Sequence, residues 1–182
     1  MRTALTNVLL ALSAVTTITS CQGGPDRGYS LSGCRWPGAD IAYRDDTASY
    51  FVATRAAAGR WNIGSSVVHI HPMPEAGWTV AAANLGPTAP YGYTTWSCAE
   101  GRFISVTTTY NTFYTDGFSF EQRVSVMTHE MGHALGLAHT SAAEGCPVAI
   151  MVANFSKTWG RCQEAWPQPT DIEAVRALYA GS

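Results

Sequence analysis

Three of the five histidines in the chain fall between residues 129 and 139, in the run His129-Glu130-Met131-Gly132-His133-Ala134-Leu135-Gly136-Leu137-Ala138-His139. Residues four apart lie one turn above each other on an α-helix, so His129 and His133 point the same way and can grip one metal ion. Glu130 stands beside them, turned by about 100° around the helix. A catalytic zinc needs a third protein ligand and an open position, and a straight helix offers no further histidine at the right angle. Gly136 resolves this, because a glycine can take φ > 0, end the helix in a tight turn and send the chain back so that His139 reaches the same ion. The chemistry predicted is hydrolysis by zinc-activated water. Three neutral imidazoles leave the ion its full charge, and Glu130, which has no ligand duty, is placed to act as general base.

The element that must position these groups is legible around them. Phe120, Val124, Met127, Met131, Ala134 and Leu135 recur at helical spacing and predict a packing stripe roughly opposite the two histidines. Ser119 with Gln122 is a capping-box pattern, and the turn pair Asp116-Gly117 precedes it, so the helix is expected to start at about Phe120. One face then packs into a core while the other looks into a cleft.

The pattern His129-Glu130-x-x-His133-x-x-Gly136-x-x-His139 resembles the signature of the metzincin zinc peptidases. The Met-turn of that family is matched by Val148-Ala149-Ile150-Met151, which implies that Met151 is a floor beneath the metal and not a ligand. The segment from Pro169 to Tyr179 is similar to the C-terminal helix of matrixin (matrix metalloproteinase-like) catalytic domains, where an aspartate in the place of Asp171 supports the Met-turn region. No tyrosine follows closely after Met151, unlike the astacin-like and serralysin-like branches, and His139 stands where the snapalysin-like pattern has an aspartate. The resemblance implies an α+β, zincin-like domain: a twisted, mostly parallel sheet with an antiparallel edge strand, an active-site helix and a C-terminal helix. It also implies a zinc metalloendopeptidase with one catalytic Zn2+ and an extended peptide or protein as substrate. Two other functions fit the same motif, a non-catalytic zinc-containing surface binding lipoprotein and a hydrolase of small peptides. The intact Glu130 favours turnover over the first.

Length and charge agree with an enzyme-sized unit. The chain has 182 residues, 46% of them hydrophobic, and a formal charge of −2, so it can bury a core and has no basic excess to attract nucleic acid. Met1-Arg2 followed by the apolar run Val8 to Val15 reads as a secretory signal over residues 1–20, too short to span a bilayer. Ile18-Thr19-Ser20-Cys21 resembles a bacterial lipobox, in which Cys21 becomes the lipidated first residue. Residues 21–30 would then be a tether and residues 31–182 the catalytic domain. The expected location is secreted or anchored on the outer face of the cell membrane, with contact to the membrane only through that lipid, and the protein is expected to act as a monomer.

With Cys21 set apart, Cys34, Cys98, Cys146 and Cys162 form an even set in an exported chain, which argues for two disulfides. Three connectivities are open. The one expected is Cys34–Cys98 with Cys146–Cys162, because the second would clamp the loop that carries Met151. Gly33-Cys34-Arg35-Trp36-Pro37-Gly38 loosely resembles the zinc-capping cysteine segment of matrixin propeptides. No propeptide of useful length precedes it, and Ile41-Ala42-Tyr43 already looks like the first strand, so the disulfide is preferred.

The remaining elements follow from periodicity. Thr47 to Asn62 reads as a first helix, with Tyr50-Phe51, Thr54, Ala57-Ala58 and Trp61 at helical intervals and Gly64 at its end. Val67 to Pro72 reads as a strand, placing His69 and His71 on one face. A structural metal there would need help from a residue such as Glu75, so a solvated face is expected. Residues 76–101, rich in Gly, Pro and Ala, read as loops around one or two short strands such as Thr79 to Ala82, without a repeated Asp/Gly calcium loop; Ca2+ is neither predicted nor excluded. Arg102 to Tyr110 alternates as a half-exposed strand. By resemblance, Ile104, Ser105, Val106 and Thr107 form the rim to which a substrate strand adds. Residues 152–168 are expected to loop around a specificity pocket. The last helix is expected to be capped by Thr170 and Glu173, packing through Ile172, Val175, Leu178 and Tyr179.

Overall fold

The computed structural model of the protein describes residues 28–141 and 145–181, so the expected signal over residues 1–20, Cys21 and most of the expected tether lie outside the described residues. Its frame is a five-stranded sheet built from β2 (Asp40–Asp46), β3 (His69–Pro72), β4 (Trp78–Ala83), β5 (Gly92–Ala99) and β6 (Arg102–Asn111), in the order β3-β2-β4-β6-β5. Four strands run parallel, and β5 lies antiparallel to β6 at one edge. A second, two-stranded pairing joins β1 (Ser30–Leu31) to β7 (Leu137–Ala138). The helices are α1 (Phe51–Ser65), the single turn α2 (Thr112–Thr115), α3 (Phe120–Ala134) and α4 (Pro169–Tyr179). The α+β class and the mostly parallel sheet are as expected.

Parallel neighbours need a crossover, and α1 supplies the one between β2 and β3. It packs on α3 through Trp61, which is fully buried and donates its indole N–H to the Thr128 carbonyl at 2.9 Å. The helix begins later than Thr47, after a 3-10 turn at Ala48–Tyr50, and runs past Gly64 to a left-handed Ser66. Gly64 therefore does not stop the helix. It makes room for α4, since a Cβ there would stand 3.0 Å from the Ile172 side chain.

The active-site helix α3 starts at Phe120 with the expected Ser119–Gln122 capping box. Val124, Met127, Met131, Ala134 and Leu135 are buried, whereas Phe120 is 46% exposed, because the first turn projects beyond the core. Helix α4 starts one residue ahead of the expected cap. Its capping box uses Gln168 and Asp171, not Thr170 and Glu173, with Pro169 in the first turn.

Two corrections bear on function. Residues 92–99, expected within loops, form the eight-residue strand β5. Strand β6 lies inside the sheet, with β5 along one side and β4 along the other from Val106 onward, so Val106 and Thr107 have no free edge to offer a substrate, and Ile104 and Ser105 belong to the same inner strand. The hairpin places the earlier strand outermost, and β5 is the open edge. A register shift at Ser97/Cys98 lets Phe103 and Val106 both face the core and leaves Ile104 exposed.

The two disulfides have the expected pairing, Cys34–Cys98 and Cys146–Cys162, with Cα separations of 6.3 and 5.5 Å. Cys34 is thereby committed to β5 and is not a zinc-capping thiol. The folded part also begins ahead of residue 31, since Ser30 pairs with Ala138 and Thr140 donates its hydroxyl to the Gly28 carbonyl at 2.6 Å.

Candidate metal centre and active-site cleft

Helix α3 ends at Ala134, and Gly136 takes φ 101°, its N–H bonded to the His133 carbonyl at 2.9 Å. The turned chain enters β7, which is held by β1 and delivers His139 beside the helix. The Nε2 atoms of His129 and His133 then lie 3.2 and 3.1 Å from that of His139. Carbonyl oxygens fix the two helical rings. His129 Nδ1 donates to the Ile150 carbonyl at 2.7 Å and His133 Nδ1 to the Leu137 carbonyl at 2.9 Å, because a carbonyl can only accept. Each Nε2 therefore carries its lone pair toward the shared centre, the arrangement that orients metal-bound imidazoles. Burial lowers His129 and His133 to about 4 and also lowers His139, so the donor set is neutral at neutral pH. Three convergent imidazole nitrogens, two of them on rings backed by carbonyls, fit a zinc ion.

The floor is built from the Met-turn and α4. Met151 is 1% exposed and lies where a Cβ on Gly132 would collide with its sulfur, so glycine lets α3 sit directly on it. Asp171 accepts from the backbone N–H of Ile150 at 2.8 Å and of Met151 at 3.3 Å, tying the turn to the start of α4. The same turn supplies the carbonyl that orients His129.

Glu130 faces a cleft of about 480 Å³ that is also lined by all three histidines. The Thr94 hydroxyl donates to its Oε2 at 2.8 Å, and the backbone of β5 runs so close that a Cβ on Gly92 would stand 2.6 Å from Glu130 Cγ. Burial pushes the Glu130 carboxyl up to about 7, against the opposing influences of His133 and Thr94. Tyr91, Tyr93, Trp96, Val126, Val152 and Phe155 form the largely apolar walls.

A family model described as Matrixin matches residues 45–180, most of the chain and all of this centre. The chain belongs to the matrixin family. This matrixin is a zinc-dependent peptidase, and its family implies peptide or protein substrates. Among solved structures, it is similar to myroilysin, with a TM-score of 0.57 and 13% identity over 85% of this chain and 100% of that one. It is also similar to high choriolytic enzyme 1, a hatching enzyme zinc-protease from Oryzias latipes (medaka fish), with a TM-score of 0.50 and 15% identity over 82% of this chain and 96% of that one. At such identities the likeness is one of fold. No curated protein matches the sequence significantly.

The structure of this matrixin gathers His129, Glu130, His133 and His139 around one centre, with the turn at Gly136 and the Met151 side chain beside it. It does not bring in Ile104, Ser105, Val106 or Thr107, which belong to an inner strand. Gly92 and Thr94 escape sequence reasoning. The only sign was the β-branched and aromatic run Tyr93-Thr94-Thr95-Trp96, which favours a strand within a segment otherwise rich in breakers.

Thr94 gives a pH test. Its hydrogen bond stabilises the charged carboxylate, so Thr94→Val removes a lowering influence and the Glu130 pKa rises. If Glu130 is the group that must be unprotonated for turnover, the acid limb of the kcat/KM profile moves to higher pH. The plateau at alkaline pH should change much less. An unmoved limb would mean that Thr94 does not touch the acting carboxylate.

Proposed function

We propose that this matrixin is an endopeptidase in which Glu130 is the general base and the free edge of β5 holds the substrate. The single observation that carries the reading is the placement of Glu130, buried beside the ligand histidines, bonded by Thr94 and open to the cleft. When bound, zinc supplies Lewis-acid polarisation of a carbonyl oxygen and acidifies water. His129, His133 and His139 would hold the ion, with the Ile150 and Leu137 carbonyls keeping two of the rings in the ligating tautomer. Glu130 takes a proton from water at its carboxylate and passes it to the departing amine.

Among the described residues strand β5 has no partner on its outer side, and Gly92, Tyr93, Thr94 and Trp96 all line the cleft. An extended peptide added there by main-chain hydrogen bonds presents alternate side chains to the wall. The pocket bounded by Tyr91, Val126, Val152 and Phe155 suits a large apolar side chain. Phe155 is braced by Tyr91 and Phe118, with ring centroids 4.9 and 5.5 Å away, so the wall is rigid.

Unfolded casein and a set of dipeptides, each with and without chelator, test the proposal. Cleavage of casein but not dipeptides, abolished by the chelator, is expected. Cleavage of dipeptides alone would make it a small-peptide hydrolase, and zinc retention without cleavage of either would make it a binding protein.

Export completes the proposal. Two disulfides need an oxidising compartment. Residues 1–20 would be the signal and Cys21 the lipid anchor ahead of a short tether; no helix among the described residues is long and apolar enough to cross a membrane. Mass spectrometry of the mature chain should find an acylated Cys21 at its amino terminus. An unmodified terminus beyond Cys21 would remove the anchor.

A further inference from the structure

A second set of ligand-type side chains gathers at the opposite edge of the sheet from β5. In the parallel pairing of β2 with β3, Asp40 is the partner of His69 and Ala42 that of His71. Side chains two apart on a strand share a face, so Asp40, His69 and His71 stand on one side. Asp40 Oδ1 lies 2.8 Å from His69 Nδ1 and 3.3 Å from His71 Nε2. These spacings bracket the 3.1 and 3.2 Å between ring nitrogens of His129, His133 and His139, and all three donor atoms lie within 4.8 Å of one another. A tetrahedral zinc with bonds of about 2.0–2.1 Å likewise sets its donors roughly 3.3 Å apart. The third ligand-type group beside the two histidines is Asp40 and not Glu75.

The backbone beneath is already fixed. Between the two histidines, Ile70 receives both hydrogen bonds of the Asn62 side chain from α1, its N–H donating at 2.7 Å and its carbonyl accepting at 2.9 Å. His69 N–H donates to the Ala39 carbonyl at 2.8 Å. The imidazoles stand side by side, with centroids 5.1 Å apart and planes 24° from parallel. β3 is an outer strand, so water can reach the remaining coordination positions.

We propose that Asp40, His69 and His71 form a second metal site, for a divalent transition ion such as zinc, which pins the start of β2 to β3 across the crossover that contains α1. Two imidazoles are borderline donors suited to such an ion, and zinc also accepts the harder carboxylate oxygen. The site shares no residue with the catalytic centre.

The test is bound zinc per chain after stripping with chelator and dialysis against excess buffered zinc, for the parent, Asp40→Asn and His71→Ala. Two ions are expected in the parent and one in each variant, with casein cleavage retained in all three. Retained cleavage also reports that the variants are folded. One ion in a casein-cleaving parent, or two in either variant, would overturn the site. A parent that never cleaves casein, and whose single ion is lost in Asp40→Asn, would sink the catalytic reading while leaving this site standing.

Discussion

Glu130→Gln is expected to lower kcat on casein by about 10²–10⁴-fold, the usual range for loss of a general base, with zinc content unchanged. The amide matches the carboxylate in shape and can still accept from the Thr94 hydroxyl, so the cleft wall and the histidines stay where they are. What it cannot do is take a proton. The same variant carries a stability signature. Burial raises Glu130 from 4.5 to about 7, so the folded protein binds this proton more tightly than the unfolded chain. The stabilisation it gives is full below the unfolded value and is lost as pH rises through about 7. In metal-free protein, Glu130→Gln should therefore flatten part of the stability change between those limits, as read by urea unfolding at a series of pH values. A drop in zinc content would instead make Glu130 part of the metal's support.

Gly136→Ala should remove zinc and activity together and destabilise the fold by about 3 kcal/mol or more. Two costs add. The residue sits at φ 101°, where an L side chain is strained, and its Cβ would be driven into the Cys34 carbonyl, which is backbone fixed by the Cys34–Cys98 disulfide. Relief requires the β1–β7 pairing to move, and that pairing is what delivers His139. Gly38→Ala is the control, since nothing lies within 4 Å of its Cβ position. Urea midpoints and zinc counts for both variants check this; a Gly136→Ala protein that keeps its zinc would show that the turn has other conformations.

The centre was legible because its information is local. His129, Glu130 and His133 are placed by helix periodicity, Gly136 by the need to turn, and the start of α3 by Ser119 and Gln122. Met151 and Asp171 followed from resemblance, and the backbone bonds between them give the physical reason. The long-range parts were not legible. Which of β5 and β6 lies outermost is decided by pairing across the sheet, and the resemblance falls on β6, which is the inner of the two. Thr94 reaches Glu130 only through that arrangement. Asp40 joins His69 and His71 by a register that no single-strand pattern encodes, so the two histidines read from sequence as a solvated face. The start of α4 shifted because Asp171 caps the helix and holds the Met-turn with the same carboxylate.

Diffraction from crystals of the zinc-loaded protein, recorded on both sides of the zinc absorption edge, would locate the catalytic ion directly. The prediction is an anomalous peak within about 2.0–2.1 Å of the Nε2 atoms of His129, His133 and His139 together. Loaded, casein-cleaving crystals with no peak between those three nitrogens would contradict it.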